Sequence, residues 1–371
     1  MTWVVLGAVT LLAWSNGSND NFKGVSALYG SGSTSYKSAL ALATIAQLAG
    51  SLLTLALAAA LMKTFSAKGL VPDAVATSRI FLGAVALGAG LTVLLATFFG
   101  LPVSTTHGLM GALIGAGLAT GAGVNFAVLG KSFVLPLLLS PVLAVAITSM
   151  LYPIAHRLRA RMGIARESCV CIEKEYVPVR LATAGGPAVA AKIQLAVTAG
   201  ASCERYGGVV VGLSAQRVLD ALHLLAAGAV CFARGLNDTP KVVALLIAAQ
   251  AVSPHVGLPL VGVAMAVGGL VGARRVAETM ARKITPLNAG QGFVASLTTA
   301  GLVIAASWFG LPVSTTHVAT GGLFGIGAVT GQARPKTVIA ILTAWVTTLP
   351  LGAALGAASF LALRALSGFE R

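Results

Sequence analysis

Charge is what this sequence has least of. Only 9% of its 371 residues are Asp, Glu, Lys or Arg, where an ordinary soluble domain carries about 25%. The shortage is concentrated, because residues 38–62, 80–130, 242–273, 284–333 and 337–363 hold no charged side chain at all. A soluble chain built this way would expose apolar patches and aggregate, so a soluble globular fold is excluded. About 20 apolar residues cross a bilayer core, and 80–130 and 284–333 are each long enough for two passes. Acidic residues are the rarest charge, 10 against 25 basic ones. The basic surplus collects beside spans, at Arg157, Arg159, Arg161 and Arg166 and at Arg274, Arg275, Arg282 and Lys283. Basic loops of this kind tend to stay cytoplasmic, and no nucleic-acid partner is expected from them. Cysteine is scarce too: four in the chain do not make a disulfide scaffold. The opening MTWVVLGAVTLLAW lacks a basic leader and reads as a first half-span rather than a signal peptide.

What the chain does have is duplication. GLPVSTTH stands at 100–107 and again at 310–317, eight identical residues 210 apart. Upstream, Gly17-Ser18-Asn19-Asp20-Asn21-Phe22-Lys23 is matched 218 residues later by Gly235-Leu236-Asn237-Asp238-Thr239-Pro240-Lys241. Each half therefore holds an acidic element followed by a hydroxyl-rich one. Paired membrane repeats with polar breaks at matching positions point to a transporter of the inverted-repeat type. The fold expected is an all-α polytopic membrane protein of two inverted-topology repeats with broken or re-entrant half-helices, about 10–12 membrane elements in all. The first repeat is placed at 1–152, a polar connector at 153–205 and the second repeat at 206–371. The first repeat reads as a short helix broken near 15–24, spans at 38–62, 80–99 and 131–152, and a half-helix after Pro102. The second has spans near 217–234, 239–252, 256–273, 291–309 and 337–363, with a half-helix after Pro312. If the halves are inverted, the basic run at 274–283 and its counterpart around Lys63, Lys68 and Arg79 face opposite compartments, and charge counting leaves the orientation open.

In GLPVSTTH, Gly and Leu-Pro interrupt an apolar run, and proline is well tolerated in a first helical turn. Ser104, Thr105, Thr106 and Ser314, Thr315, Thr316 then start new half-helices, whose N-termini bind anions through free N–H groups and partial positive charge. Two such elements facing each other make a pocket of donors for a tetrahedral oxyanion; otherwise the hydroxyls serve only as caps inside a bundle. Asp20 and Asp238, each after an Asn, lie where a carboxylate is costly and usually functional. With Asn19 and Asn237 they offer oxygen ligands to a coupling Na⁺, or the Asp residues carry a coupled proton. His107 and His317 close the hydroxyl motifs and read as packing residues; His223 and His255 carry no assigned role.

At these residues the chain resembles the inorganic phosphate transporter family, the cation-coupled phosphate permeases. The resemblance covers nearly everything outside 153–205, and includes Arg275-Val-Ala-Glu-Thr279, Lys283-Ile-Thr285, Ser140-Pro141 and Thr348-Leu-Pro350. It implies phosphate held near the midplane by the hydroxyl half-helices, cation sites at Asn19, Asp20, Asn237 and Asp238, and a homodimer. Two departures stand out. The family pattern places Asn where this chain has Lys23 and Lys241, and glutamate is expected at Gln47. A lysine ammonium is a compact fixed cation that pairs with carboxylate or phosphate. Lys23 and Lys241 are therefore expected to replace bound Na⁺ beside Asp20 and Asp238, leaving H⁺ as coupling ion and a frame whose two Asp and two Lys cancel. Alternatively, the lysines snorkel to the interface.

The function read from the sequence is secondary active transport of inorganic phosphate across the plasma or inner membrane, coupled to H⁺ or Na⁺. Sulfate or another tetrahedral oxyanion is the competing cargo, and an anion channel or non-transporting receptor the competing class. An enzyme is not expected: Ser, His and Asp occur as identical duplicates, whereas a nucleophilic triad needs one asymmetric constellation. No cofactor is expected. Cys169, Cys171 and Cys203 read as ordinary loop cysteines, with a metal site or a reducible pair left open and no standard zinc signature. Alternation through 170–195 points to a small β-hairpin.

Overall fold

The computed structural model describes residues 1–57, 62, 69–164, 168–180, 187–199 and 213–368; Lys63, Lys68, Arg166 and Cys203 lie outside them. The chain forms two compact units, one from Met1–Tyr152 together with His223–Arg371 and one from Pro153–Leu222. The longer helices are, in chain order, α1 (Thr2–Asp20), α2 (Tyr36–Leu52), α3 (Arg79–Phe98), α4 (Thr105–Ala119), α5 (Leu135–Arg161), α6 (Ala215–Ala248), α7 (Pro254–Gly272), α8 (Ala289–Trp308), α9 (Thr315–Thr330) and α10 (Pro335–Gly368). Six of them (α3, α5, α6, α7, α8 and α10) are long and apolar enough to cross a membrane among the described residues. The protein is a multi-pass membrane protein. Large apolar side chains such as Leu138, Val142, Val271, Ile339 and Val346 are exposed, as lipid-facing residues must be, while the polar side chains gather inside.

Helix pairs approach closely where the side chains are small. Gly111 and Gly115 of α4 lie against Leu349 and Ala353 of α10, and Gly356 of α10 lies against Ala112 of α4. A Cβ on Gly115 would run into the Ala353 carbonyl oxygen. This is small-xxx-small packing, which lets backbones touch where lipid supplies no hydrophobic driving force.

The break expected near 15–24 is short. α1 runs to Asp20, a 3₁₀ turn covers Lys23–Val25, and the chain re-enters a helix at Ser26–Gly30. The second copy differs from its sequence expectation. Instead of two spans parted at 235–238, α6 continues through the motif with Pro240 inside it. A proline removes one backbone bond and bends a helix, and close packing on both sides tolerates that single loss. The two motif glycines show this packing: Gly17 faces the Met265 carbonyl and Gly235 faces the Gln47 carbonyl. Met265 is Gln47 shifted by 218, the same offset that relates the glycines.

In the second unit, β1 (Ser168–Arg180) and β2 (Pro187–Ala199) pair antiparallel with Cys169 opposite Thr198, and β3 (Leu213–Ser214) adds to the other edge of β1. The hairpin expected at 170–195 is present there.

Candidate functional site

The hydroxyl motifs owe their shape to the residues in front of them. α3 ends with Gly100 at φ +67 and α8 with Gly310 at φ +66, a left-handed conformation open chiefly to glycine. Leu101 N–H bonds to the Ala96 carbonyl at 2.9 Å and Gly100 N–H to that of Thr97 at 2.9 Å; the second copy repeats this with Leu311 to Ala306 at 2.8 Å and Gly310 to Ser307 at 3.1 Å. This pair of bonds closes a helix end. Leu-Pro-Val then leads without helix or strand to Ser104 and Ser314, whose hydroxyls cap α4 and α9 by accepting from the His107 and His317 amides at 3.2 Å each. Thr105, Thr106, Thr315 and Thr316 thus form the first turns of two buried helices.

Each lysine fills an oxygen cage at this junction. Lys23 Nζ donates to Asn19 Oδ1 at 2.6 Å, the Val103 carbonyl at 2.8 Å and Thr316 Oγ1 at 2.7 Å, and pairs with Asp20 Oδ1. Lys241 Nζ donates to Asp238 Oδ1 at 3.1 Å, the Val313 carbonyl at 2.8 Å and Thr106 Oγ1 at 3.0 Å, and to Asn237 Oδ1. The two sets correspond residue for residue. In both, the ammonium takes its Asn, Asp and carbonyl from its own half and its threonine from the other. Lys23 is 3% exposed and Lys241 1%, so neither snorkels.

The remaining carboxylate oxygens are also engaged. Asp20 Oδ2 accepts from Asn16 Nδ2 at 3.0 Å and Thr105 Oγ1 at 3.1 Å, and Asp238 Oδ2 accepts from Thr315 Oγ1 at 3.2 Å. The amides are positioned in turn by hydroxyls at the ends of α3 and α8: Asn19 Nδ2 donates to Thr97 at 2.8 Å, and Asn237 Nδ2 to Ser307 at 3.0 Å. The rings of His107 and His317 lie 4.5 Å apart, with Trp345 3.8 Å from His317. Trp345 Nε1 donates to the Pro102 carbonyl at 3.2 Å, tying α10 to the lead-in of α4.

All the residues singled out in the two motifs converge on this one buried network. Ser104 and Ser314 act in it as helix caps, and the threonines face the charges. The sequence reading passed over Arg234, which is 1% exposed and among the largest fully buried side chains. Its Nη1 donates to Asn21 Oδ1 at 3.2 Å and its Nη2 to Asn16 Oδ1 at 3.0 Å, while Nε lies 3.7 Å from Asp238 Oδ2. Arg234 directly precedes Gly235, as Asn16 precedes Gly17, so the 218-residue offset pairs a cation with an amide. The frame expected to cancel therefore does not: among the described residues the buried Asp, Glu, Lys and Arg side chains are Asp20, Asp238, Lys23, Lys241 and Arg234, a formal sum of one positive charge. Gln47 donates to Ser51 at 2.7 Å, and Ser51 hydrogen-bonds Thr239 at 2.7 Å; this corner of the bundle is neutral.

A model of the phosphate transporter family matches residues 16–356. A Thermococcus kodakarensis protein named as a phosphate permease is 27% identical, with 94% of each chain covered. The inorganic phosphate transporter 2-1 of Arabidopsis thaliana, named as chloroplastic, is 26% identical over 93% of this chain and 69% of its own. A solved structure described as the sodium-dependent phosphate transporter superposes with a TM-score of 0.76 at 20% identity, covering 98% of this chain and 99% of that one. At that identity the shared property is the fold.

Proposed function

The chain belongs to the phosphate transporter family, and from that premise we propose that it is a secondary active permease moving inorganic phosphate across the plasma or inner membrane by H⁺-coupled, Na⁺-independent symport. The reading includes two inverted repeats assembled as a homodimer, with phosphate held between the first turns of α4 and α9.

One observation carries the coupling assignment: the paired oxygen cages filled by Lys23 and Lys241. Carbonyl, amide, carboxylate and hydroxyl oxygens are what a hard monovalent cation selects. Here each set already surrounds a cation on a covalent tether, so Na⁺ has no charge left to supply. Asp20 and Asp238 are the carboxylates of the network that can take up the coupled proton.

The lysines also bridge the halves through Thr316 and Thr106. Phosphate offers the lysines an anionic acceptor in place of a neutral hydroxyl, and gives the threonine hydroxyls a charge-assisted bond, about twice as strong as a neutral one. Entry of the anion would exchange lysine–threonine bonds for lysine–phosphate and threonine–phosphate bonds. That exchange gives the differential interaction without which a ligand shifts no conformational equilibrium. The apolar sequence on either side of the network favours alternating access over a continuous channel.

Uptake of radiolabelled phosphate into proteoliposomes of the purified protein tests the cargo, with excess unlabelled sulfate as competitor. The reading predicts accumulation that sulfate does not suppress. Transport of sulfate in place of phosphate would overturn the cargo and leave the fold untouched.

A further inference from the structure

Arg234 breaks the symmetry of an otherwise reciprocal site. We propose that its guanidinium is the anion-anchoring and specificity-determining group of the centre, contacting the oxyanion directly and supplying the one positive charge that Asp20 and Asp238 leave uncancelled. This rests on the permease reading above.

Three observations carry it. First, Lys23 and Lys241 are each partnered by a carboxylate, Asp20 and Asp238 respectively, whereas Arg234 reaches Asp238 only at 3.7 Å through Nε, and Asp238 already serves Lys241 and Thr315. Second, a guanidinium has five N–H donors, and the acceptors of Arg234 are the neutral amide oxygens of Asn21 and Asn16; Nε has no hydrogen-bond acceptor. Third, a net charge buried in a membrane protein is costly and is kept where it has a function. An oxyanion bound within reach of Nε would remove that cost and satisfy the idle donor. The flat fork of arginine also fits two oxygens of one phosphate, which a lysine cannot do.

Asn16 occupies the matching position in the first half and touches the same network through Asp20 and Thr105. The charge should therefore work from either side, and this gives the test. Phosphate half-saturation is measured by uptake into proteoliposomes for the wild type, Arg234→Gln, Arg234→Lys and the swap Asn16→Arg/Arg234→Asn. Arg234→Gln is expected to raise half-saturation at least about tenfold, Arg234→Lys to raise it less, and the swap to return it most of the way to the wild-type value. A structural role for Arg234 predicts no such rescue. Wild-type affinity in Arg234→Gln would overturn the inference, and so would a folded swap variant as weak as Arg234→Gln. If Arg234→Gln fails to fold, the swap decides by its half-saturation alone. Failure of the wild type to transport phosphate would refute the permease reading itself.

Discussion

Lys23 on one half of the chain donates to Thr316 on the other at 2.7 Å, and its counterpart Lys241 donates to Thr106 at 3.0 Å. Each lysine is thus both the cation of its own Asn-Asp pair and a strap across the two halves.

Replacing both lysines by asparagine, the residue that the sequence resemblance leads one to expect at these positions, leaves two oxygen cages without a cation. Each set retains Asn, Asp, carbonyl and threonine oxygens. We predict that phosphate uptake by Lys23→Asn/Lys241→Asn becomes Na⁺-dependent. Uptake that stays indifferent to Na⁺ would show that the cages are not cation sites.

Removing one lysine without supplying a substitute cation should be severe. Lys23→Met leaves the Asp20 carboxyl group, 1% exposed, without its charge partner. Breaking a buried pair this way costs about 3–5 kcal/mol. Thermal unfolding in detergent should show a large loss in Lys23→Met and a much smaller one in the double variant Lys23→Met/Asp20→Asn.

The straps can be cut without touching charge. Thr316→Val deletes the acceptor for Lys23 and the donor to the Val103 carbonyl at 2.8 Å. A buried group left without a partner costs about 1–3 kcal/mol, and the hydroxyl is also a proposed phosphate donor. The variant should lose that much stability and bind phosphate more weakly, and Thr106→Val should behave alike. An effect confined to one of the two would argue against the reciprocity of the site.

Packing sets a separate limit. Gly115→Leu would place a side chain on the Ala353 backbone of α10, whereas Gly301 has nothing within 4 Å of a built Cβ. Gly115→Leu should abolish the folded monodisperse protein on size-exclusion chromatography, and Gly301→Leu should leave it intact.

The sequence exposed the architecture because the duplication preserved it. The 210- and 218-residue offsets brought together the same residues that meet in space, down to Val103 and Val313 supplying equivalent carbonyls. Arg234 is hard to read from sequence for the opposite reason: it has no charged repeat partner, and the shared motif begins one residue later, at Gly235. The signal was nevertheless present, since a lone arginine at the end of the run Ala226–Ala233 is expensive in a membrane helix. The continuity of α6 was also hidden, because Asn-Asp-Thr-Pro locally favours a turn and only the packing around Gly235 overrides it. The hairpin of the second unit was legible from its alternation.

The central claim is that the tethered ammonium groups of Lys23 and Lys241 take the place of a coupling Na⁺. Its most direct test is phosphate uptake by the wild-type protein in proteoliposomes, with Na⁺ and pH gradients imposed separately. The account predicts accumulation driven by an inwardly directed proton gradient in the complete absence of Na⁺. Accumulation that requires a Na⁺ gradient and ignores the proton gradient would contradict it.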